Sequence, residues 1–215
     1  MLKHVDESQP WAPLLRTAFE LVDAAESESG FAIPWSLGGG TVLMFRYNHR
    51  LSRDIDIFLE DPQHLGFFNP RLHDRLGSFD NSYDASAEAI KLRRPEGDVD
   101  FVVAAALTDS PYRTETLLQR KLRVQTSAEI VARKLWHRGD RAMARDLLDL
   151  ALVAKADRHL AGKIQASIDK NGARFLAQCV ERRSALERDF YAIDVIDFRD
   201  DYDTCLSTVE RLVSS

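Results

Sequence analysis

Asp54 and Asp56 flank a single isoleucine and follow a run of three glycines and a threonine in the stretch Ser36-Leu-Gly-Gly-Gly-Thr41…Ser52-Arg-Asp54-Ile-Asp56. On a β-strand, residues two apart face the same side. Both carboxylates therefore project together while Ile55 and Ile57 face a core. Carboxylates this close raise each other's pKa unless a cation sits between them. Hard oxygen ligands suit Mg²⁺, which commonly takes one or two protein carboxylates and completes its shell with substrate phosphates. The glycines point the same way. A glycine-rich turn that opens a helix offers unpaired N–H groups and the positive end of the helix dipole to a phosphate. Thr41, or Ser52 just ahead of the aspartates, can add a hydroxyl donor. Alone, the acid pair fits a solvated strand edge and the glycine turn fits close packing. Together they are the parts of a metal–nucleotide site, although the spacing matches neither the Walker nor the dinucleotide glycine pattern.

A third carboxylate would complete a two-metal site, in which ions about 3.5–4 Å apart clamp the attacking and leaving oxygens. Asp98-Val99-Asp100 supplies the candidates. Asp98 abuts the turn Pro95-Glu96-Gly97 and fits a solvated position. Asp100 lies deeper, ahead of Phe101-Val102-Val103, where an unpaired carboxylate is costly, and is the favoured third metal ligand. The histidines, at 4, 49, 64, 73, 137 and 159, show no zinc-ligand spacing.

These residues need elements to hold them. Apolar periodicity predicts a helix over 10–28, a short strand over 31–37, a helix over 41–48 after the glycine turn, and a strand over 54–59. A polar loop follows to residue 82, with a helix around 71–76. Residues 87–93 and 98–105 read as a hairpin. Beyond residue 109 the pattern reads as helical only. Ser110-Pro111 looks like a helix start. Thr126-Ser127-Ala128-Glu129 is a capping box opening a helix over 127–138. Further helices are expected over 141–156, over 160–170 stopped by Asn171-Gly172, over 173–191 and over 202–213. The expected organisation is α+β: a small mixed sheet with flanking helices in 1–109, then a helical domain in 110–215.

Net charge is −5, which argues against a globally basic nucleic-acid binder. Locally the balance reverses: residues 113–145 hold nine Lys/Arg against three acids. That excess fits a solvated helical face and a polyanion-facing surface equally well. Cys179 and Cys205 match no metal or redox spacing, no apolar signal core opens the chain, and no apolar run could span a bilayer. A cytoplasmic protein with no membrane partner is expected.

Gly39-Gly40-Thr41, Leu43, His49-Arg50, Ser52, Asp54-Ile55-Asp56 and Phe58 resemble the first motif of the AbiEii/AbiGii toxin-type nucleotidyltransferases, within the DNA-polymerase-β-like nucleotidyltransferase fold. Glu129-Ile-Val-Ala-Arg-Lys134-Leu135 and Arg145-Asp146-Leu-Leu-Asp149-Leu150 resemble that family's E-x-x-x-x-K-L and R-D-x-x-D-L motifs, in order and spacing. The similarity covers about residues 30–155, and Gly38 is extra to the family's glycine pair. The resemblance implies nucleotide-phosphate binding at Gly39, Gly40 and Ser52, and Mg²⁺, with Mn²⁺ as a substitute, on Asp54 and Asp56. It implies that Lys134 reaches the triphosphate, that Asp146 holds Lys134 or acts on the acceptor, and that Arg145 braces the site. Transfer of a nucleoside monophosphate from an NTP to an RNA or tRNA 3′ end, by a toxin paired with an antitoxin, is the implied activity. A protein or small-molecule acceptor, or a non-catalytic binding role, are the alternatives.

Overall fold

A computed structural model describes residues 1–9, 11–70, 72 and 83–215. The helix expected around 71–76 lies outside the described residues. The chain divides into two compact units that alternate along the sequence. The first takes Met1–Arg46, Ser52–Ala105 and Thr114–Gln125; the second takes Tyr47–Leu51, Ala106–Arg113 and Thr126–Ser215.

The first unit is built on a mixed sheet. Helix α1 (Trp11–Ser29) precedes strand β1 (Trp35–Gly38), which runs directly into helix α2 (Gly39–Tyr47). Strand β2 (Ile55–Leu59), a 3-10 helix (Pro62–Phe68), and strands β3 (Tyr83–Ala85), β4 (Ala89–Arg94), β5 (Gly97–Val103), β6 (Tyr112–Leu117) and β7 (Arg120–Gln125) follow. Their order across the sheet is β3-β4-β5-β2-β1-β7-β6. β1 is antiparallel to β2 and parallel to β7, while β2 is parallel to β5. Alternation in β2 buries Ile55, Ile57 and Leu59 and leaves Asp56 on the opposite face. Leu14, Leu15, Ala18 and Val22 of α1 join that core, and Phe68 stacks on Phe101 at 4.2 Å between ring centroids.

The helix expected to start at Ser110-Pro111 is instead the β6–β7 hairpin. Period-two burial explains it: Leu122 and Val124 are buried, while Lys121 is exposed and Arg123 half-buried. The connecting residues Leu118 and Gln119 both adopt positive φ, 48° and 63°. Two such residues form the tight turn that matches strand twist, here without the glycine or asparagine that usually marks it. Part of the basic excess therefore sits on a strand.

The second unit is helical: α3 (Ser127–Arg138), α4 (Ala144–Ala156), α5 (Leu160–Lys163), α6 (Gln165–Glu181), α7 (Arg183–Tyr191) and α8 (Tyr202–Val213). Thr126 caps α3 by accepting from the Glu129 N–H. The Glu129 side chain does not fold back on the cap. It is buried, accepting from the Leu107 N–H and the Thr108 hydroxyl and lying 2.8 Å from Arg133 Nε.

Asn171-Gly172 does not stop a helix; α6 runs through it. The Asn171 side-chain amide donates to the Leu135 and Trp136 carbonyls (3.2 and 2.7 Å), which lie in the last turn of α3. A Cβ at Gly172 would lie 2.9 Å from Val213. Both residues serve helix packing, which outweighs their weak helix propensity. Among the described residues no helix is long and apolar enough to cross a membrane.

Candidate active site

Strand register lines up the candidate groups of the first unit. Gly38 pairs with Asp56, Asp56 with Asp100, and Asp100 with Lys91, so four adjacent strands contribute one row of residues. Gly39 and Gly40 are the first residues of α2. Gly39 has φ +73°, and a Cβ built there would meet Asp56 Oδ2 at 1.8 Å. The carboxylate thus occupies the space that only glycine leaves open. Gly38 is equally constrained, since its Cβ would lie 2.3 Å from Gln125 Oε1 and 2.6 Å from the Phe58 ring.

Thr41 is buried, and its hydroxyl donates to the Asp54 carbonyl at 2.6 Å. It ties α2 to the start of β2. The Asp54 side chain accepts from the Asp98 N–H at 3.3 Å. Gly97, with φ +151°, lets that turn approach, because a Cβ there would lie 2.8 Å from the Arg53 carbonyl. Ser52 lies just before β2, half-buried, with its N–H 3.3 Å from the Met44 sulfur.

Asp100 meets a cation of the chain itself. Lys91 Nζ donates to Asp100 Oδ2 at 2.7 Å and to Asp98 Oδ2 at 3.0 Å. Burial pushes the Asp100 carboxyl up to about 6, against Lys91 and together with the charges of Asp56 and Asp98. Burial alone would lower the Lys91 pKa; its two aspartates outweigh this and raise it. Sequence reasoning missed Lys91. Its signal was the hairpin itself: with the turn at Pro95-Glu96, Lys91 falls opposite Asp100.

Lys134, Arg145 and Asp146 lie in the second unit. Lys134 Nζ is 2.6 Å from Asp146 Oδ1 and 3.1 Å from Asp149 Oδ2, and both acids are fully buried. Asp146 Oδ2 and the Arg145 Nε have no hydrogen-bond partner among the described residues. Asp149 is the centre of the cluster. The Arg50 guanidinium grips both its oxygens at 2.8 Å, and His49 Nε2 lies 2.8 Å from Oδ1. An ionised carboxylate only accepts, so His49 donates from Nε2. Complete burial would raise the Asp149 pKa, yet Arg50, Lys134 and His49 together hold it well below the ordinary range. Burial lowers the His49 pKa, against the pull of Asp149. The sequence contained the acid in R-D-x-x-D and the partners in His49-Arg50, but nothing in spacing linked residues a hundred positions apart.

Solved structures share the fold. MenT4, a nucleotidyltransferase toxin from Mycobacterium tuberculosis H37Rv, superposes with a TM-score of 0.53 at 19% identity, over 95% of this chain and 83% of that one. JHP933 from Helicobacter pylori gives 0.51 at 15% identity, over 93% and 88%. No curated protein sequence matches the chain. The family described as nucleotidyl transferase AbiEii toxin, type IV toxin–antitoxin system, matches residues 21–214. The chain therefore belongs to the AbiEii nucleotidyltransferase toxin family, and it is a nucleotidyltransferase.

Proposed function

We propose that this nucleotidyltransferase is Mg²⁺-dependent, with Mn²⁺ as a substitute, and moves a nucleoside monophosphate from an NTP to the 3′-hydroxyl of an RNA, a tRNA in the first place. The observation that carries the reading is the fit of Asp56 against Gly39, a carboxylate seated on the phosphate-type turn. Among the described residues no group of three or more His, Cys, Asp or Glu side chains could by itself hold a metal ion. Mg²⁺ arriving with nucleotide needs only one or two protein carboxylates. Asp54 and Asp56 would hold it, with Asp100 the neighbouring third carboxylate. The ion would neutralise charge on the phosphates as the bond to the leaving group breaks.

The N–H groups of Gly39 and Gly40 at the start of α2 receive phosphate oxygens, with the helix dipole adding to the attraction. Thr41 contributes by fixing Asp54, and Ser52 adds a donor beside the acids. The acceptor oxygen attacks the α-phosphorus while its proton passes to the Asp146 carboxylate, the bond from the α-phosphorus to the α,β-bridging oxygen breaks, and pyrophosphate leaves. Lys134 serves the triphosphate charge, Asp146 holds Lys134 and takes part at the acceptor hydroxyl, and Arg145 braces the phosphate. The sheet-bearing part of 1–109 is the nucleotidyltransferase core, and 110–215 supplies Lys134 and the R-D-x-x-D acids. The protein works in the cytoplasm opposite a cognate antitoxin, away from membranes. The exposed basic side chains between 113 and 145, Arg113, Lys121 and Arg141, give an RNA backbone its counter-charge.

Incubation with each α-labelled NTP, Mg²⁺ and total tRNA tests this. Label in tRNA that disappears in Asp56→Ala supports the reading. Label in protein or in a small molecule instead moves the acceptor, and no labelling of any acceptor by the wild-type chain in Mg²⁺ or Mn²⁺ leaves a non-catalytic binding role.

A further inference from the structure

The proposed site holds more acid than the aspartate pair needs, and one lysine answers the surplus. Asp98 and Asp100 stand on one face of β5, and Lys91 stands across from them on β4, directly paired with Asp100. Its neighbours Ile90 and Leu92 are buried on the other face, so strand alternation fixes the direction of the Lys91 side chain. An ammonium has three donors, and two of them are committed, to Asp100 Oδ2 and Asp98 Oδ2. The Asp100 side chain is only 18% exposed, so this pair is screened less than a surface one.

We propose that Lys91 is the resident cation of Asp100 and restricts the site to one divalent ion. The inference rests on the metal–nucleotide reading above and deepens it. A second ion in a two-metal site lies about 3.5–4 Å from the first and draws on the third carboxylate. Here that carboxylate already carries an ammonium 2.7 Å from one of its oxygens. A divalent ion bound to the same group would face a fixed positive charge at close range and would have to displace a lysine anchored on two acids. The two ion pairs of Lys91 run to Asp98 and Asp100, on the β5 side of the row. Lys91 is thus a positioning residue: it takes the place of a second metal's charge and keeps Asp100 beside Asp56 without making it a ligand.

The test counts bound Mn²⁺ by the electron paramagnetic resonance signal of the free ion, with a non-hydrolysable NTP analogue present. Wild type and Lys91→Arg are expected to bind one ion per chain. Lys91→Met and Lys91→Gln, each checked for folding by circular dichroism, are expected to bind two, and Lys91→Met with Asp100→Asn to return to one. Two ions on the wild-type chain, or one on both uncharged variants, overturns the role of Lys91 while leaving the metal–nucleotide reading in place. No ion on the wild-type chain overturns that reading, and this inference with it.

Discussion

The Asp56 carboxylate fills the space beside Gly39, with Oδ2 1.8 Å from where a Cβ would stand. The glycine is at φ +73°, a conformation unfavourable for any L side chain. Two independent constraints, steric and torsional, therefore fall on one residue at the point where turn, helix and acid pair meet.

Gly39→Ala is expected to displace either the turn or Asp56. A misplacement of about 1 Å at a reacting centre costs roughly 10²-fold in rate, against about 1–3 kcal/mol of stability for the forced backbone. Single-turnover nucleotidyl transfer alongside urea denaturation checks this. Activity within threefold of wild type would show that the close approach has no functional weight.

Asp149→Asn is expected to lower stability by about 3–5 kcal/mol, because the Arg50 guanidinium stays buried and loses the carboxylate that pairs with it, while Lys134 keeps only Asp146. Thermal unfolding followed by circular dichroism reads it. A melting temperature within 2 °C of wild type, on the order of half a kcal/mol, contradicts the central place of this acid.

The same cluster sets an acid-side sensitivity. His49 has a folded-state pKa below its ordinary 6.5. As pH falls through 6.5 the unfolded chain takes up this proton before the folded one, so stability drops. His49→Gln removes that uptake. Denaturation curves between pH 7.5 and 5.5 are expected to show a shallower decline for the variant, and equal slopes would refute the assignment.

Asp100 has the opposite sign. Its folded pKa of about 6 exceeds the ordinary 3.8, so the folded chain holds the proton more tightly and stability declines as pH rises from about 4 to 6. Asp100→Asn is expected to be more stable than wild type by about 1 kcal/mol at pH 8. The pull of Lys91 is already contained in that pKa, and partial solvation keeps the gain below what the full shift represents. Near pH 5 the gap is expected to narrow. A variant less stable than wild type at pH 8 would mean that the Lys91 pair outweighs burial.

Much of this arrangement was legible in residue order. Strand alternation at Ile55, Ile57 and Leu59 fixed the face of Asp56, and the Thr126 cap fixed the start of α3. Local signals failed where tertiary contacts decide. Leu118-Gln119 carries no turn residue, so the hairpin behind it stayed hidden. Asn171-Gly172 looked like a stop because its partners, Leu135, Trp136 and Val213, are remote in sequence. Lys91 and Asp149 were missed for the same reason: their importance lies in cross-strand or long-range partners rather than in their neighbours along the chain.

The alternation of the two units along the chain also constrains how the protein is made. The segment Tyr47–Leu51 emerges early, but its partners are Asp149, Asp194, Ile196 and Asp197. At about 5–20 residues per second, a ribosome needs on the order of 5–20 s to reach residue 149 from His49. Until then a nascent chain carries the glycine turn and both aspartates while His49 and Arg50 wait for their counter-charge. A chain cut short before that codon leaves His49 and Arg50 without the carboxylate that binds them in the full fold.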